Sequence, residues 1–311
     1  MRSRGPSKAR ISTADRTHQM KPAPFDYFDP RTIEEAVSLL QQHGGEAKIL
    51  AGGQSLMPLL NMRLARPGAL IDLNRVDGLD YIREDDGWIA IGALTRQRAI
   101  ERSELIKARQ PLLHAATRFI AHPQIRNRGT IGGSLAHADP AAEYPAVALA
   151  LDAELVAAGP NGARTIHAAD FFVTYLTTAL EPSDILTEVR LPVLPGRTGW
   201  SFTEVSRRHG DFALAGVAAT LTLDDDNRCS AARIALFGVG SKPMRAQAAE
   251  ELLIGEQPDE QLVAEAGERA SEQIEAPLSD VHASAEYRRH LARVLTRRAL
   301  AEAVARAGAA A

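Results

Sequence analysis

The chain has a single cysteine, Cys229, in 311 residues. That excludes an internal disulfide, a cysteine-ligated iron–sulfur cluster and a cysteine-rich zinc site within this polypeptide. A lone thiol also fits a reducing, cytoplasmic compartment. Long apolar runs are missing: no stretch approaches the roughly 18–20 residues that a membrane-spanning helix requires, so no membrane span is expected. Charge of one sign is not in surplus either. Lys and Arg number 36 against 39 Asp and Glu, a net charge of −3, and nothing directs the chain to nucleic acid or to an anionic membrane. Neither a G-x-G-x-x-G fingerprint nor a Walker lysine pattern is present, which disfavours a Rossmann domain and a P-loop. No nucleophile–base constellation stands out, so no catalytic residue is assigned. What remains is ordinary soluble-protein composition, 45% hydrophobic and 24% charged, in a chain long enough for two or three compact units.

Residues 1–20 carry Arg2, Arg4, Lys8, Arg10 and Arg16 against one acid, Asp15. No apolar segment follows, which argues against a secretory signal, and the stretch reads as a disordered basic tail. Met20 is a candidate native start. Beyond it, Thr32-Ile33-Glu34-Glu35 is a capping box that predicts a helix up to Gly44. Lys48–Ala51 and Ala69–Leu73 read as strands, and Tyr81–Arg83 with Trp88–Ile91 as a hairpin across Asp86-Gly87. Thr95 is expected to cap a short helix. Pro111 opens another, ending near His122. Ala141–Leu151 reads as a helix, Glu154–Ala158 with Ala163–Ile166 as a hairpin, Phe171–Leu176 as a short helix and Ile185–Leu191 as a strand. Turn formers over Leu194–Gly199 mark the best boundary. Three strands (Ser201–Arg207, Ala215–Leu223, Ala232–Val239) and three helical segments (Arg245–Ile254, Glu260–Ile274, Ala285–Ala307) follow, an α+β pattern.

Two glycine turns stand out. Ile49-Leu50-Ala51-Gly52-Gly53-Gln54-Ser55-Leu56 runs from a strand through two glycines into a helix, where unobstructed backbone N–H groups favour phosphate. Thr130-Ile131-Gly132-Gly133-Ser134 repeats the logic and adds two hydroxyls. A pair of such turns suits a ligand with two phosphates, such as a dinucleotide; a tight turn with no ligand is the simpler alternative.

These two stretches, the second extended back to Ile125-Arg126-Asn127-Arg128-Gly129, resemble the FAD loops of the flavoprotein (medium) subunits of molybdenum hydroxylases of the carbon monoxide dehydrogenase and xanthine dehydrogenase type. Ile185–Pro192 and Phe202–Ala213 extend the resemblance from about Pro24 nearly to the C-terminus. It implies a two-subdomain FAD-binding domain of the vanillyl-alcohol-oxidase/p-cresol-methylhydroxylase type over residues 21–197. A C-terminal domain of three antiparallel strands covered by helices would span 198–307.

By the same resemblance FAD is bound non-covalently. Residues 49–56 and 130–134 would wrap its pyrophosphate and ribityl side. Asp139 and Glu143 would meet sugar or ribityl hydroxyls, with Ile120, Leu186 and Thr203 also contributing. Asp139 alternatively caps the following helix, and Glu143 is alternatively a first-turn acid. Thr203 stands where some relatives have lysine, and Ser134 where asparagine is common. Arg207, Arg208 and His209 would place positive charge near the flavin or form a solvated turn. His122 and His137 have no second ligand at metal spacing.

The implied function is electron transfer. A molybdenum cofactor in a large subunit and two [2Fe-2S] clusters in a small subunit would be the partners, in a heterotrimer. Alternatives are a self-sufficient flavin reductase or oxidase of the same fold, and a non-redox nucleotide-binding module. The organic substrate and the electron acceptor are not written in this chain.

Overall fold

A computed structural model describes residues 21–309, so the tail expected over residues 1–20 lies outside the described residues. The chain begins with alternating strands and helices: β1 (Asp26–Phe28), α1 (Ile33–His43), β2 (Ala47–Leu50), α2 (Leu56–Asn61) and β3 (Ala69–Asp72). The strands form a parallel sheet in the order β1-β3-β2. Helix α1 starts where the capping box predicts, with the Thr32 hydroxyl accepting from Glu35 N–H at 3.1 Å. The Glu35 carboxylate reaches back to Arg31 N–H, one residue before the cap. Ala36, Val37 and Leu40 bury the inner face of this helix.

The second lobe is built on an antiparallel sheet. Strands β4 (Ile82–Asp85) and β5 (Trp88–Gly92) form the hairpin, with Asp86 and Gly87 both at positive φ, 45° and 80°, as a tight two-residue turn requires. Short helices follow: α3 (Gln97–Arg102), α4 (Glu104–Arg109), α5 (Pro111–Thr117), α6 (Pro123–Arg126), α7 (Ile131–His137) and α8 (Glu143–Ala150). Then come the hairpin β6 (Glu154–Gly159) and β7 (Gly162–His167), helix α9 (Ala168–Phe171), a small hairpin β8 (Phe172–Thr174) and β9 (Thr177–Thr178), and β10 (Ile185–Pro192). The sheet order is β4-β5-β10-β6-β7, so β10 returns from the end of the lobe to bridge the two hairpins.

Three local expectations are corrected. Thr95 caps nothing: its hydroxyl bonds both the N–H and the C=O of Tyr81, locking the entry to the first hairpin, while Arg96 occupies the cap position of α3. Residues Phe171–Leu176 are not a helix. Phe172 and Thr174 pair with Thr178 and Thr177 as soon as α9 ends, with the β-branched Val173 at the irregularity between them. Helix α5 stops at Thr117, and Phe119 and Ile120 lie in the turn that follows, with Ala121 at φ 40°.

The C-terminal region consists of long strands β11 (Thr198–Ser206), β12 (Ala213–Leu223) and β13 (Cys229–Phe237), antiparallel in sequence order. A two-residue edge strand, β14 (Met244–Arg245), is added before α10 (Gln247–Leu253), α11 (Glu260–Glu272) and α12 (Ala285–Ala309). Both faces of this sheet are covered. Ala218 of β12 packs with Phe202, Ala235 and Phe237 into the core of the second lobe, whereas Val217, Ala219 and Leu221 pack under the C-terminal helices. That explains why Ala213–Ala219 of β12 is a continuous apolar run and not an alternating one. Helix α8 is buried along its whole length, the expected behaviour of a helix apolar on every side, and lies against β12 and β13.

Candidate functional site

A cleft of about 750 Å³ opens beside the two glycine stretches, within the range of roughly 300–1,000 Å³ typical of small-molecule sites. Of the candidate residues, Ile49, Ala51, Gly52, Gly53, Gln54, Ser55, Leu56, Ile120, Thr130, Gly132, Gly133, Ser134, Asp139, Glu143 and Leu186 line it. Leu50, Ile131 and Thr203 do not.

The first stretch is a row of free donors. Among the described residues, the backbone N–H groups of Gly52, Gly53, Gln54, Ser55 and Leu56 meet no protein acceptor, and hydrogen bonding resumes at Met57 N–H to Gly53 C=O, 3.0 Å. Gly53 sits at φ 72°, a conformation that side chains disfavour. A Cβ on Gly52 would run into the Arg128 carbonyl, so the two glycine stretches touch backbone to backbone.

The second stretch works differently from the expectation. Thr130 is the N-cap of α7, and its hydroxyl accepts from Gly133 N–H at 3.0 Å. The N–H of Ile131 goes to Thr95 C=O, that of Gly132 to Ala93 C=O and that of Ser134 to Thr130 C=O. These backbone donors are therefore occupied, and what faces the cleft is glycine surface with the Thr130 and Ser134 side chains. Gly132 is required by proximity, since a Cβ there would lie 2.7 Å from the Ala93 carbonyl oxygen. Gly133 is not at positive φ; a side chain there would strike the capping hydroxyl of Thr130 at 2.7 Å.

The far wall is acidic. Asp139 accepts from Ala141 N–H at 2.9 Å, a local turn that sets the approach to α8 without capping it, because the helix begins at Glu143 with Ala142 at the cap. Glu143 is 7% exposed, and burial together with the neighbouring Asp139 raises its pKa to about 7. Behind it lies Glu204, which the sequence reading passed over. Its pKa is pushed to about 8 by burial and by Glu143, and its Oε2 has no hydrogen-bond partner among the described residues. Side chains of β11 alternate: Phe202 joins the second-lobe core and Val205 packs under the C-terminal helices. Period two therefore turns Glu204 toward α8 and Thr203 away, which is why Thr203 does not line the cleft.

Other residues enter only in three dimensions. The buried Arg126 guanidinium donates to Ile120 C=O at 2.8 Å and is gripped by Glu101 at 3.0 and 3.1 Å, fixing the Ile120–Ala121 turn that lines the cleft. Leu176–Thr178 of the β8–β9 hairpin and Gly210–Phe212 after β11 form the rim, where Phe212 is 60% exposed. Arg207 pairs with Asp211 at 3.5 Å, and His209 stacks on His122. Burial lowers the pKa of His137. Among the described residues no group of three or more His, Cys, Asp or Glu side chains is arranged to hold a metal.

Free donors at a glycine turn, hydroxyls beside them and a carboxyl opposite fit a ligand carrying both phosphates and sugar hydroxyls. Comparison with known proteins identifies that ligand. Residues 23–194 match the FAD binding domain in molybdopterin dehydrogenase, and residues 200–303 the CO dehydrogenase flavoprotein C-terminal domain. The chain is 48% identical over 288 residues to the 6-hydroxypseudooxynicotine dehydrogenase complex subunit alpha of Paenarthrobacter nicotinovorans, covering 93% of this chain and 97% of that one. A solved carbon monoxide dehydrogenase chain from Hydrogenophaga pseudoflava superposes with a TM-score of 0.89 at 41% identity, covering 92% of this chain and 99% of that one. A chain of quinoline 2-oxidoreductase from Pseudomonas putida 86 gives 0.87 at 38%, with the same coverage. The chain belongs to the FAD-binding subunits of the molybdenum hydroxylases, the family of the carbon monoxide dehydrogenase medium chain.

Proposed function

We propose that this chain is the electron-transfer subunit of a molybdenum-containing dehydrogenase, linking iron–sulfur clusters of a small partner subunit to an external acceptor. The organic substrate would react in a large molybdenum subunit. The observation that carries the reading is one cleft lined both by the run of five N–H groups at Gly52–Leu56 that meet no acceptor among the described residues and by the buried carboxyl of Glu143. Bound FAD would supply the redox chemistry, and the protein its position and electrostatics. The Gly52–Leu56 donors would hold the pyrophosphate, the Thr130 and Ser134 hydroxyls would flank it, and Glu143 would accept from ribityl or ribose hydroxyls. Asp139, Ile120 and Leu186 would complete the walls.

The names of relatives, a dehydrogenase complex subunit and a carbon monoxide dehydrogenase medium chain, favour a subunit over a self-sufficient reductase. The single cysteine is consistent with this, since any iron–sulfur cluster feeding the flavin would have to be held by a partner. Relatives of similar identity also bear the names of enzymes for chemically different substrates, which fits a chain that does not itself choose the substrate. The test is the absorption spectrum of the full chain reconstituted with FAD. Flavin bands are expected in the wild type and their loss in Gly53→Val and Gly133→Val; wild-type flavin content in both variants would remove the basis of the assignment.

A further inference from the structure

The contact between the two glycine stretches is held from outside by a side-chain brace. Asn74, in the 3-10 turn after β3, donates from Nδ2 to Ala51 C=O at 2.9 Å, immediately before the row of free N–H groups. Its Oδ1 accepts from one arm of the Arg96 guanidinium, whose other arm donates to Arg128 C=O, immediately before Gly129. Asn74 is itself pinned by Asp72, which accepts from Asn74 N–H at 2.9 Å and from Tyr27 O–H at 2.7 Å. One carbonyl from each glycine stretch is thus tied into a single chain, Ala51–Asn74–Arg96–Arg128. Arg96 forms no ion pair with a carboxylate among the described residues and is half-buried beside Arg128.

We propose that Asn74 and Arg96 are positioning residues that set the spacing of the two loops and thereby the fit of the cofactor's pyrophosphate. The inference rests on the reading that Gly52–Leu56 bind that group. Chemistry dictates both residue types. The position at 74 must donate to a carbonyl and accept from a cation through one planar group, which an amide does and a carboxylate cannot. The position at 96 must reach two acceptors at once, which a guanidinium fork does and an ammonium holds less well.

Equilibrium FAD titration of the full chain, followed by flavin fluorescence, tests the brace. Asn74→Asp keeps the acceptor for Arg96 but faces the Ala51 carbonyl, and the Asp72 carboxylate to which the amide also donates, with an anion on the exposed surface. Arg96→Lys keeps the charge but loses the fork. Each single variant is expected to raise the Kd for FAD about tenfold, the scale of one hydrogen bond to a charged group. The double variant should be little worse than either alone, because both changes break the same connection. The melting midpoint of the FAD-free chain should stay within about 2 °C of wild type, as expected for a change of a few tenths of a kcal/mol. A merely structural role would instead move the midpoint together with the Kd. Should Arg96→Lys unfold the chain, the exposed Asn74 carries the test alone. Wild-type affinity in Asn74→Asp, with Gly53→Val inactive in binding, would overturn the brace and leave the pyrophosphate assignment standing. Wild-type affinity in Gly53→Val would overturn that assignment, and the brace with it.

Discussion

Glu143 is buried and Glu204 partly so, and no cation acts on either; Glu143 raises the pKa of Glu204, Asp139 raises that of Glu143, and Tyr144, hydrogen-bonded to Thr117, is a further titratable neighbour. Their folded-state pKa values, about 7 and about 8, lie above the ordinary carboxylate value of 4.5. The unfolded chain therefore binds fewer protons than the folded one between those limits, and stability must fall as pH rises through that window. The stabilisation is complete below about pH 4.5 and lost by about pH 8. For FAD-free protein, the denaturant midpoint is expected to decline between pH 5.5 and 8.5. Glu204→Gln should flatten the decline, since it removes the repulsion and leaves one titrating group. An unchanged slope in that variant would show that Glu204 does not contribute to the decline.

At the scale of the element, the tightest approach is between β11 and α12. A Cβ on Gly199 would strike the Ala303 carbonyl and come within 2.6 Å of Ala307 N. Gly199→Val should therefore cost about 2–3 kcal/mol, read as a lower urea midpoint with unchanged slope. Elements of this kind were mostly legible in the sequence. The Thr32 cap, the Asp86-Gly87 hairpin and the three long C-terminal strands rest on local chemistry that needs no tertiary information. The β8–β9 hairpin was not legible, because five apolar or aromatic residues at Phe171–Leu176 satisfy a helical and a strand pattern equally. The site divides along the same line. Gly52, Gly53 and Gly132 announce themselves as glycines, but whether their N–H groups are free depends on partners such as Thr95 and Ala93, far away in the chain. Alternation along β11 was a signal at hand that Glu204 and Thr203 face opposite sides of the sheet, and it places Glu204, not Thr203, on the side of α8.

For the whole molecule, the proposed division of labour has a separable consequence. In the assembled complex, Gly53→Val should leave the organic substrate able to bleach the iron–sulfur absorption of the small subunit. Transfer onward to the physiological acceptor should fail. Loss of both would mean that this chain shapes the substrate-oxidising part of the assembly as well.

The placement of α8 carries one more implication. Glu143 stands at the first turn of a helix whose other surface is bedded on β12 and β13, and Gly238 N–H reaches back to Pro140 C=O at 2.8 Å just ahead of that turn. The C-terminal sheet is thus the foundation of the cleft's acidic wall, where the proposed reading places the cofactor. The two matched regions are separate modules only as stretches of sequence: excised at the Leu194–Gly199 boundary, the FAD-binding region would lose the ground beneath its own ligand. A lesion under α12 would then surface as a flavin deficiency.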